Sequence, residues 1–303
     1  MNCYLCGSAK NFQRIGKVRE DDTIRILECN CCGLVFLDRI LTTDEFYKNN
    51  GMLDGNFFKL TQRSQGEEDT LKDDILAHEN DWNIMTRKRF EILKHILIGK
   101  EVLDFGSGHG QFLIMIKNIV KRCCGIEIEE QVKNIYKENQ IELFASISDL
   151  QKTGRFLNGF DIVTSAHVME HLRDPISVLR ELKELIKDNG KIIIEVPNAN
   201  DALLTIYQSN AFQNFSYQAG HLFLFNPNTL KILGEKAGLK VDFIKCIQRY
   251  PLSNTLYWLA NGLPAGQKQW GGFIDNPILQ NAYEQTLASL GATDTLIAQF
   301  SKI

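Results

Sequence analysis

The chain has 303 residues, of which 44% are hydrophobic and 23% are charged. This is the composition of an ordinary globular protein, so a predominantly disordered chain is excluded. The formal net charge of −3 argues against a partner such as the backbone of a nucleic acid. Because the sequence has neither a secretory signal nor an apolar run of about 18 residues, we expect a cytoplasmic protein without a membrane span.

The N-terminal segment is rich in cysteine. Two Cys-x-x-Cys-Gly turns, at Cys3–Cys6 and Cys29–Cys32, can present four thiolates, which is the ligand set of a closed Zn²⁺ site. We therefore predict a zinc ribbon over residues 1–38, with Cys3, Cys6, Cys29 and Cys32 as ligands of a structural zinc. Cys31 breaks the pattern, and the sequence leaves open whether it replaces Cys29 or Cys32.

Residues 39–95 are predicted to form a helical linker or cap. The first part is polar, with acidic runs at 67–69 and 72–74. From about residue 81, apolar residues recur at helical spacing, at positions 82, 85, 90, 93 and 96.

From residue 96 to the end, strands alternate with helices. The predicted strands span residues 101–105, 124–128, 141–145, 160–165, 191–196, 241–246 and 295–300. The predicted helices span residues 111–121, 130–139, 175–190 and 227–237. This alternation predicts an α/β fold, with a parallel sheet covered by helices on both faces. An insertion at about 251–293 is rich in aromatic residues, and its Tyr257, Trp258 and Trp270 could form a lid or a sugar-stacking wall, or belong to the core.

A glycine-rich turn follows the first of these strands. Gly106, Gly108 and Gly110 fit a sharp turn against a ligand, but position 111 is glutamine, where the dinucleotide fingerprint has its third glycine. Asp104 would repel a pyrophosphate and would favour the sulfonium and ammonium groups of S-adenosylmethionine. Glu127, at the end of the next predicted strand, can accept hydrogen bonds from ribose hydroxyls. The alternatives are a nicotinamide site and a glycine turn without such a ligand.

These segments resemble the class I S-adenosylmethionine-dependent methyltransferases. The resemblance covers about residues 85–247, and it includes the segments 160–163, 168–175, 190–198 and 221–230. It implies a doubly wound, seven-stranded Rossmann-like sheet whose last strand, 295–300, is antiparallel. It also implies a set of cofactor-binding residues: Asp104, Gly106, Ser107, Gly108 and Gly110 around the methionine part, Glu127 at the ribose, Ser146 and Ile147 beside the adenine, and Ser165 and His167 beside the methyl donor.

The four-cysteine unit resembles that of methyltransferases that act on nucleotide-linked sugars. This resemblance implies a small-molecule acceptor, either a nucleotide-linked sugar or a related polysaccharide or natural-product precursor. It also implies His221 as a general base. The tyrosine and glutamate neighbours of that histidine are replaced here by Gln218 and Gly220, with Tyr217 one position earlier as a further catalytic candidate.

His171 is the remaining catalytic candidate. His167 and His171 are four residues apart and could share a helix face, which would also suit a metal, whereas Glu170 and His171 could simply hydrogen-bond neighbouring loops. The alternative functions are a zinc-ribbon RNA or protein methyltransferase and a cofactor-binding module without catalysis. The oligomeric state stays open, a homodimer included.

Overall fold

The computed structural model describes residues 1–42, 48 and 70–303, with the backbone alone over 70–83. The predicted acidic run at 67–69 lies outside the described residues, and so do the side chains of 72–74 and of residue 82. The division of the chain at residues 38 and 95 stays a prediction.

A seven-stranded sheet forms the centre of the molecule. Its strands are β4 (Glu101–Phe105), β5 (Arg122–Ile126), β6 (Glu142–Phe144), β7 (Phe160–Ala166), β8 (Ile186–Pro197), β10 (Leu239–Ile247) and β11 (Thr295–Lys302). Their order in the sheet is β10-β11-β8-β7-β4-β5-β6. The pairs β4–β5, β4–β7, β5–β6 and β7–β8 are parallel, whereas β11 is antiparallel to both β8 and β10. The predicted Rossmann-like fold with an antiparallel last strand is therefore confirmed.

Helices and buried apolar side chains cover both faces of this sheet. Side chains alternate between the faces along a strand, so Leu103 and Val163 lie in one apolar cluster while their neighbours Val102 and Ile162 lie in another. None of the helices in the described ranges is long and apolar enough to cross a membrane. The helices are Thr70–Leu97, Gln111–Ile116, Lys133–Asn139, Ile147–Lys152, Pro175–Leu185, Ala202–Thr205, Asn210–Ser216, Pro227–Lys236, Leu252–Asn261, Gly266–Ile274 and Pro277–Ser289, with short 3₁₀ turns at Glu130–Val132 and Met169–His171.

Several boundaries differ from the sequence-based predictions. The helix that begins at Pro175 ends at Leu185, not near residue 190, because Ile186 is already paired with Phe160 in the sheet. The helix that begins at Gln111 ends at Ile116. The chain then turns back, and the Lys121 N–H donates to the Lys100 carbonyl at 2.9 Å. Strand β5 ends at Ile126, which leaves Glu127 in the following loop.

A second, four-stranded sheet joins the N-terminal segment to the middle of the chain. It consists of β1 (Asn11–Gln13), β2 (Ile26–Cys29), β3 (Val35–Leu37) and β9 (Phe223–Leu224), in that order and antiparallel. One residue, Leu222, separates His221 from the start of strand β9. The N-terminal segment therefore packs directly against the segment that carries the predicted base.

The insertion between β10 and β11 forms three helices. Trp258 is only 3% exposed and packs edge-on against Phe212 and at a tilt against Phe215, with ring centroids 5.1 and 4.9 Å away. Trp258 is therefore a core residue. Tyr257 packs edge-to-face against Trp270 at 5.1 Å.

Candidate active site

The glycine turn after β4 has a backbone that only glycine adopts easily. Gly106, Gly108 and Gly110 have φ values of 70°, 52° and 70°, in the left-handed region. A Cβ atom on Gly106 would lie 2.3 Å from a methyl carbon of Val168, and one on Gly110 would lie 2.9 Å from the ring of Tyr136. The turn is therefore packed closely against Val168 and Tyr136, and these two positions leave no room for a side chain.

Polar contacts hold this turn against the loop after β5. The Glu127 carboxylate accepts hydrogen bonds from the backbone N–H groups of Gly108 and Ile128, both at 2.8 Å. The Tyr136 hydroxyl donates to Ser107 Oγ at 2.6 Å. A cavity of about 300 Å³ opens beside Glu127 and is lined by Glu127, Ile128, Glu130, Lys133, Tyr136, Lys137, Ile141, Leu143 and Ala145.

The predicted adenine-binding residues lie at the start of the helix after β6. Ser146 is the N-cap of this helix: its Oγ accepts from the Asp149 N–H at 3.1 Å and donates to the Asp149 carboxylate at 2.8 Å. Ile147 is buried. Ser146 is thus fixed by its capping role next to Ala145, which lines the cavity.

Asp104 is a buried carboxylate at the end of β4, with 6% of its surface exposed. The Thr164 hydroxyl donates to its Oδ1 at 2.7 Å. Burial raises the pKa of Asp104 to about 6, although Thr164 and the nearby Arg89 act in the opposite direction. Such a carboxylate favours a cationic ligand, because a nearby positive charge compensates for its loss of water.

A chain of buried charged groups runs beside Asp104 and was not predicted from the sequence. Arg89 Nε lies 2.7 Å from Glu195 Oε2, and Glu195 Oε1 lies 3.2 Å from His167 Nε2. The other ring nitrogen of His167 lies 3.3 Å from Glu170 Oε1. Burial opposes the charged form of His167, but its hydrogen bonds with Glu170 and Glu195 outweigh burial and raise its pKa. A signal was present in the sequence: Glu195 interrupts an apolar strand, and a charge in such a strand needs a partner.

The structure corrects the idea that His167 and His171 share a helix face. His167 has a φ of 56°, and only a short 3₁₀ turn, Met169–His171, follows it. His167 therefore lies between Glu170 and Glu195, while His171 contacts a different partner.

His171 and His221 form a pair of imidazole rings. Their centroids are 4.8 Å apart, at an interplanar angle of 68°. Since a carbonyl can only accept, His171 Nδ1 donates to the Gly220 carbonyl at 2.8 Å. Ligand atoms of Glu170, His171 and His221 all lie within 4.8 Å of one another. Burial and the neighbouring His171 lower the pKa of His221 to about 3, so the His221 ring is neutral at pH 7.

Tyr217, a catalytic candidate, and Ser165, a candidate cofactor-binding residue, are both buried. The Tyr217 ring is 1% exposed and lies in an apolar cluster with Val18 and Leu224, so the geometry gives no support to a catalytic role for it. Ser165 is also buried, and its Oγ has no hydrogen-bond partner among the residues that the structure describes.

The four predicted cysteine ligands converge in the N-terminal unit. The sulfur atoms of Cys3 and Cys32 are 3.5 Å apart, and those of Cys6 and Cys29 are 3.4 Å apart. All four lie within 4.8 Å of one another. A tetrahedral zinc with Zn–S bonds of about 2.3 Å needs sulfurs about 3.8 Å apart, so the cluster fits this ion. Cys31 is exposed, and its Sγ contacts Ser8 Oγ at 3.2 Å, outside the cluster.

Comparisons with known proteins identify the family of this chain. A family model described as "Methyltransferase domain" matches residues 78–242. The ubiquinone biosynthesis O-methyltransferase of Coxiella burnetii (strain Dugway 5J108-111) is 27% identical over 166 residues, which cover 52% of this chain and 71% of that protein. The protein of the same description from Pseudomonas aeruginosa (strain UCBPP-PA14) is 28% identical over 174 residues, covering 54% of this chain and 75% of that protein.

A solved structure has a similar fold. A chain of the complex between the Haloferax volcanii Trm112 methyltransferase activator and a methyltransferase has a TM-score of 0.50 at 16% identity, covering 78% of this chain and 99% of that one. At this identity the likeness concerns the fold alone. Because the family model spans more than half of the chain, the chain belongs to the methyltransferase-domain family and is a class I S-adenosylmethionine-dependent methyltransferase.

Proposed function

We propose that this enzyme methylates a small-molecule acceptor and that His221 is the general base. The observation that carries the proposal is the His171–His221 pair. His171 ends the short turn that follows Val168, the residue that packs on Gly106, and the His171 ring contacts the ring of His221.

The glycine turn and its neighbours are proposed to hold the cofactor. Gly106, Gly108 and Gly110 offer the open backbone that the methionine part needs, with Asp104 facing its positive charges and Ser107 within the turn. Glu127 is proposed to hold the ribose, exchanging its hydrogen bond with Gly108 for one with a hydroxyl. The adenine is proposed to lie beside Ser146 and Ile147, and the methyl group beside Ser165 and His167.

When bound, the cofactor would supply an electrophilic methyl group for in-line transfer to the acceptor. The protein must then orient the acceptor and take its proton. His221 is proposed to take that proton, and because its low pKa makes it a weak base, its imidazolium form needs stabilisation. Glu170, buried beside it, favours the resulting imidazolium, as the carboxylate does in other base–carboxylate pairs, and the Gly220 carbonyl holds His171 in one orientation.

For the acceptor we propose a nucleotide-linked sugar or a related polysaccharide or natural-product precursor. The four-cysteine unit supports this class, because it packs on the segment that carries His221. A phenolic hydroxyl is the second candidate, favoured by the description of the curated relatives as ubiquinone biosynthesis O-methyltransferases.

Turnover of methyl-labelled S-adenosylmethionine on a panel of nucleotide sugars and phenols tests the proposal. We expect product with a member of this panel, and a loss of at least a hundredfold in kcat for His221→Gln with the cofactor Kd unchanged. His95→Gln, on an exposed helix position, is the matched control and retains activity. Activity on RNA or protein alone would contradict the proposal, and so would cofactor binding without any turnover.

We also propose that Cys3, Cys6, Cys29 and Cys32 bind a structural Zn²⁺. A closed site with four thiolates has no open position for a substrate, so the ion would stabilise the fold of the unit rather than take part in the chemistry. Metal analysis of the purified protein should give one zinc per chain, and removal by a chelator should lower the Tm.

A further inference from the structure

Two residues of the N-terminal unit contact the segment that leads to His221. The Arg19 N–H donates to the Tyr217 carbonyl at 3.1 Å. The Glu20 carboxylate accepts from the Ala219 N–H at 2.7 Å. The backbone at Arg19 is therefore held in a fixed position relative to His221.

The side chain of Arg19 forms no ion pair with the residues that the structure describes. Its guanidinium lies 4.2 Å from the ring centroid of Phe215. Its Nε is buried and has no hydrogen-bond partner in the described part of the chain. Glu20 lies near enough to favour the charged guanidinium, but the described residues form no ion pair with Arg19. Burying a charged donor without a partner is costly, so an anion that reaches this guanidinium would be stabilised there.

Arg19 contacts the chain at Tyr217, four residues before the proposed base. Among the described residues, the charged and titratable groups with the largest effects on His221 are His171, Glu170, His167 and Arg19. The positive charge of Arg19 lowers the pKa of His221. A guanidinium that stacks on an aromatic ring keeps its planar edge available for two parallel hydrogen bonds to an oxyanion.

We propose that Arg19 binds an anionic group of the acceptor and places the reacting group next to His221. The ligand class is a small molecule with a phosphate or carboxylate group, and a nucleoside diphosphate moiety would satisfy it. This inference rests on the proposed function, because it takes the surroundings of His221 as the acceptor site. It gives the N-terminal unit a role in substrate recognition besides its structural one.

Binding of small anions tests the proposal. Titration calorimetry with inorganic pyrophosphate, UDP and benzoate, in the presence of S-adenosylhomocysteine, separates phosphate from carboxylate recognition. We expect the wild type to bind at least one probe and Arg19→Gln to weaken that binding about tenfold to a hundredfold, since hydrogen bonds to charged groups are the strong ones. Arg19→Lys should recover part of the affinity. Lys17→Gln, which removes an exposed charge of the same unit, should change the affinity less than twofold.

A second measurement does not depend on turnover. In the full chain, NMR titration of the His221 ring should show a higher pKa in Arg19→Gln than in the wild type or in Lys17→Gln, because a neighbouring positive charge is gone. Zinc content and the affinity for S-adenosylhomocysteine should be equal in all variants.

The proposal is overturned if the wild type binds none of the probes, or if Arg19→Gln binds them as the wild type does. A different combination of results would refute the proposed function but not the anion site. If Arg19→Gln loses anion binding while His221→Gln keeps full turnover, His221 is not the general base, whereas the anion site at Arg19 is supported.

Discussion

Asp104 gives a test in which stability and ligand binding change in opposite directions. In Asp104→Asn, the amide oxygen can still accept the hydrogen bond from Thr164, but no charge is buried. The wild-type carboxyl has a pKa of about 6 in place of the ordinary 3.8, and this difference corresponds to about 3 kcal/mol. We therefore expect Asp104→Asn to be more stable than the wild type by up to about 3 kcal/mol at pH 7.5.

The pH dependence of this stability difference follows from proton linkage. Between pH 3.8 and about 6, the folded protein keeps the Asp104 proton while the unfolded chain has lost it, so wild-type stability falls as the pH rises through this window. The advantage of Asp104→Asn should therefore shrink toward zero as the pH is lowered to 4. Guanidinium unfolding at several pH values measures it, and Asp188→Asn, at a fully exposed position, should change stability by less than about 0.5 kcal/mol.

Cofactor binding should respond in the other direction. Without a carboxylate opposite its positive charges, S-adenosylmethionine should bind Asp104→Asn about tenfold to a hundredfold more weakly. Two results would refute the reasoning. One is a variant less stable than the wild type at pH 7.5, and the other is a variant with wild-type affinity for the cofactor.

Three further predictions concern the turn, the cysteines and the base. Gly106→Ala should abolish cofactor binding, because its Cβ would lie 2.3 Å from Val168. Gly99→Ala, at φ 69° with nothing nearby, should lower the free energy of unfolding by only about 1 kcal/mol through backbone strain. Equal losses of stability and of cofactor affinity in the two variants would contradict this. Cys32→Ser should lose zinc and lower the Tm, while Cys31→Ser should retain both, and metal loss in Cys31→Ser would show that the ligand set is wrong. Because the pKa of His221 is lowered from 6.5 to about 3, stability should fall as the pH drops below 6.5. Between pH 6.5 and 5, the loss of stability should be about 1 kcal/mol smaller in His221→Asn than in the wild type, after allowance for the partly accessible ring. Identical pH profiles of the unfolding free energy in the two proteins would contradict this.

The sequence was sufficient for features that depend on local pattern. Strand β4, the glycine turn and the Pro175 helix start follow from short-range rules, namely a buried apolar run, positive φ at glycine, and an Asp N-cap with proline at the first helical position. The structure places the cap as expected, with the Asp174 side chain accepting from the Ser177 N–H.

The features that were not predicted depend on contacts between residues that are distant in the chain. The helix after Pro175 was predicted too long because the partner of Ile186 is Phe160, which is distant in the chain. The pairing of β3 with the two-residue strand β9 has no periodicity to detect. The chain from Arg89 through Glu195 to His167 joins a helix, a strand and a loop, and a single sequence does not indicate which of its charges meet.

The position of the demethylated cofactor tests the central proposal most directly. In a crystal structure with S-adenosylhomocysteine, we expect its methionine part on the turn at Gly106 and Gly108, its amino group near Asp104 and its ribose at Glu127. Its sulfur should face an acceptor space bordered by His221. A sulfur that points away from His221, or a cofactor bound elsewhere on the sheet, would contradict the proposed site and its base.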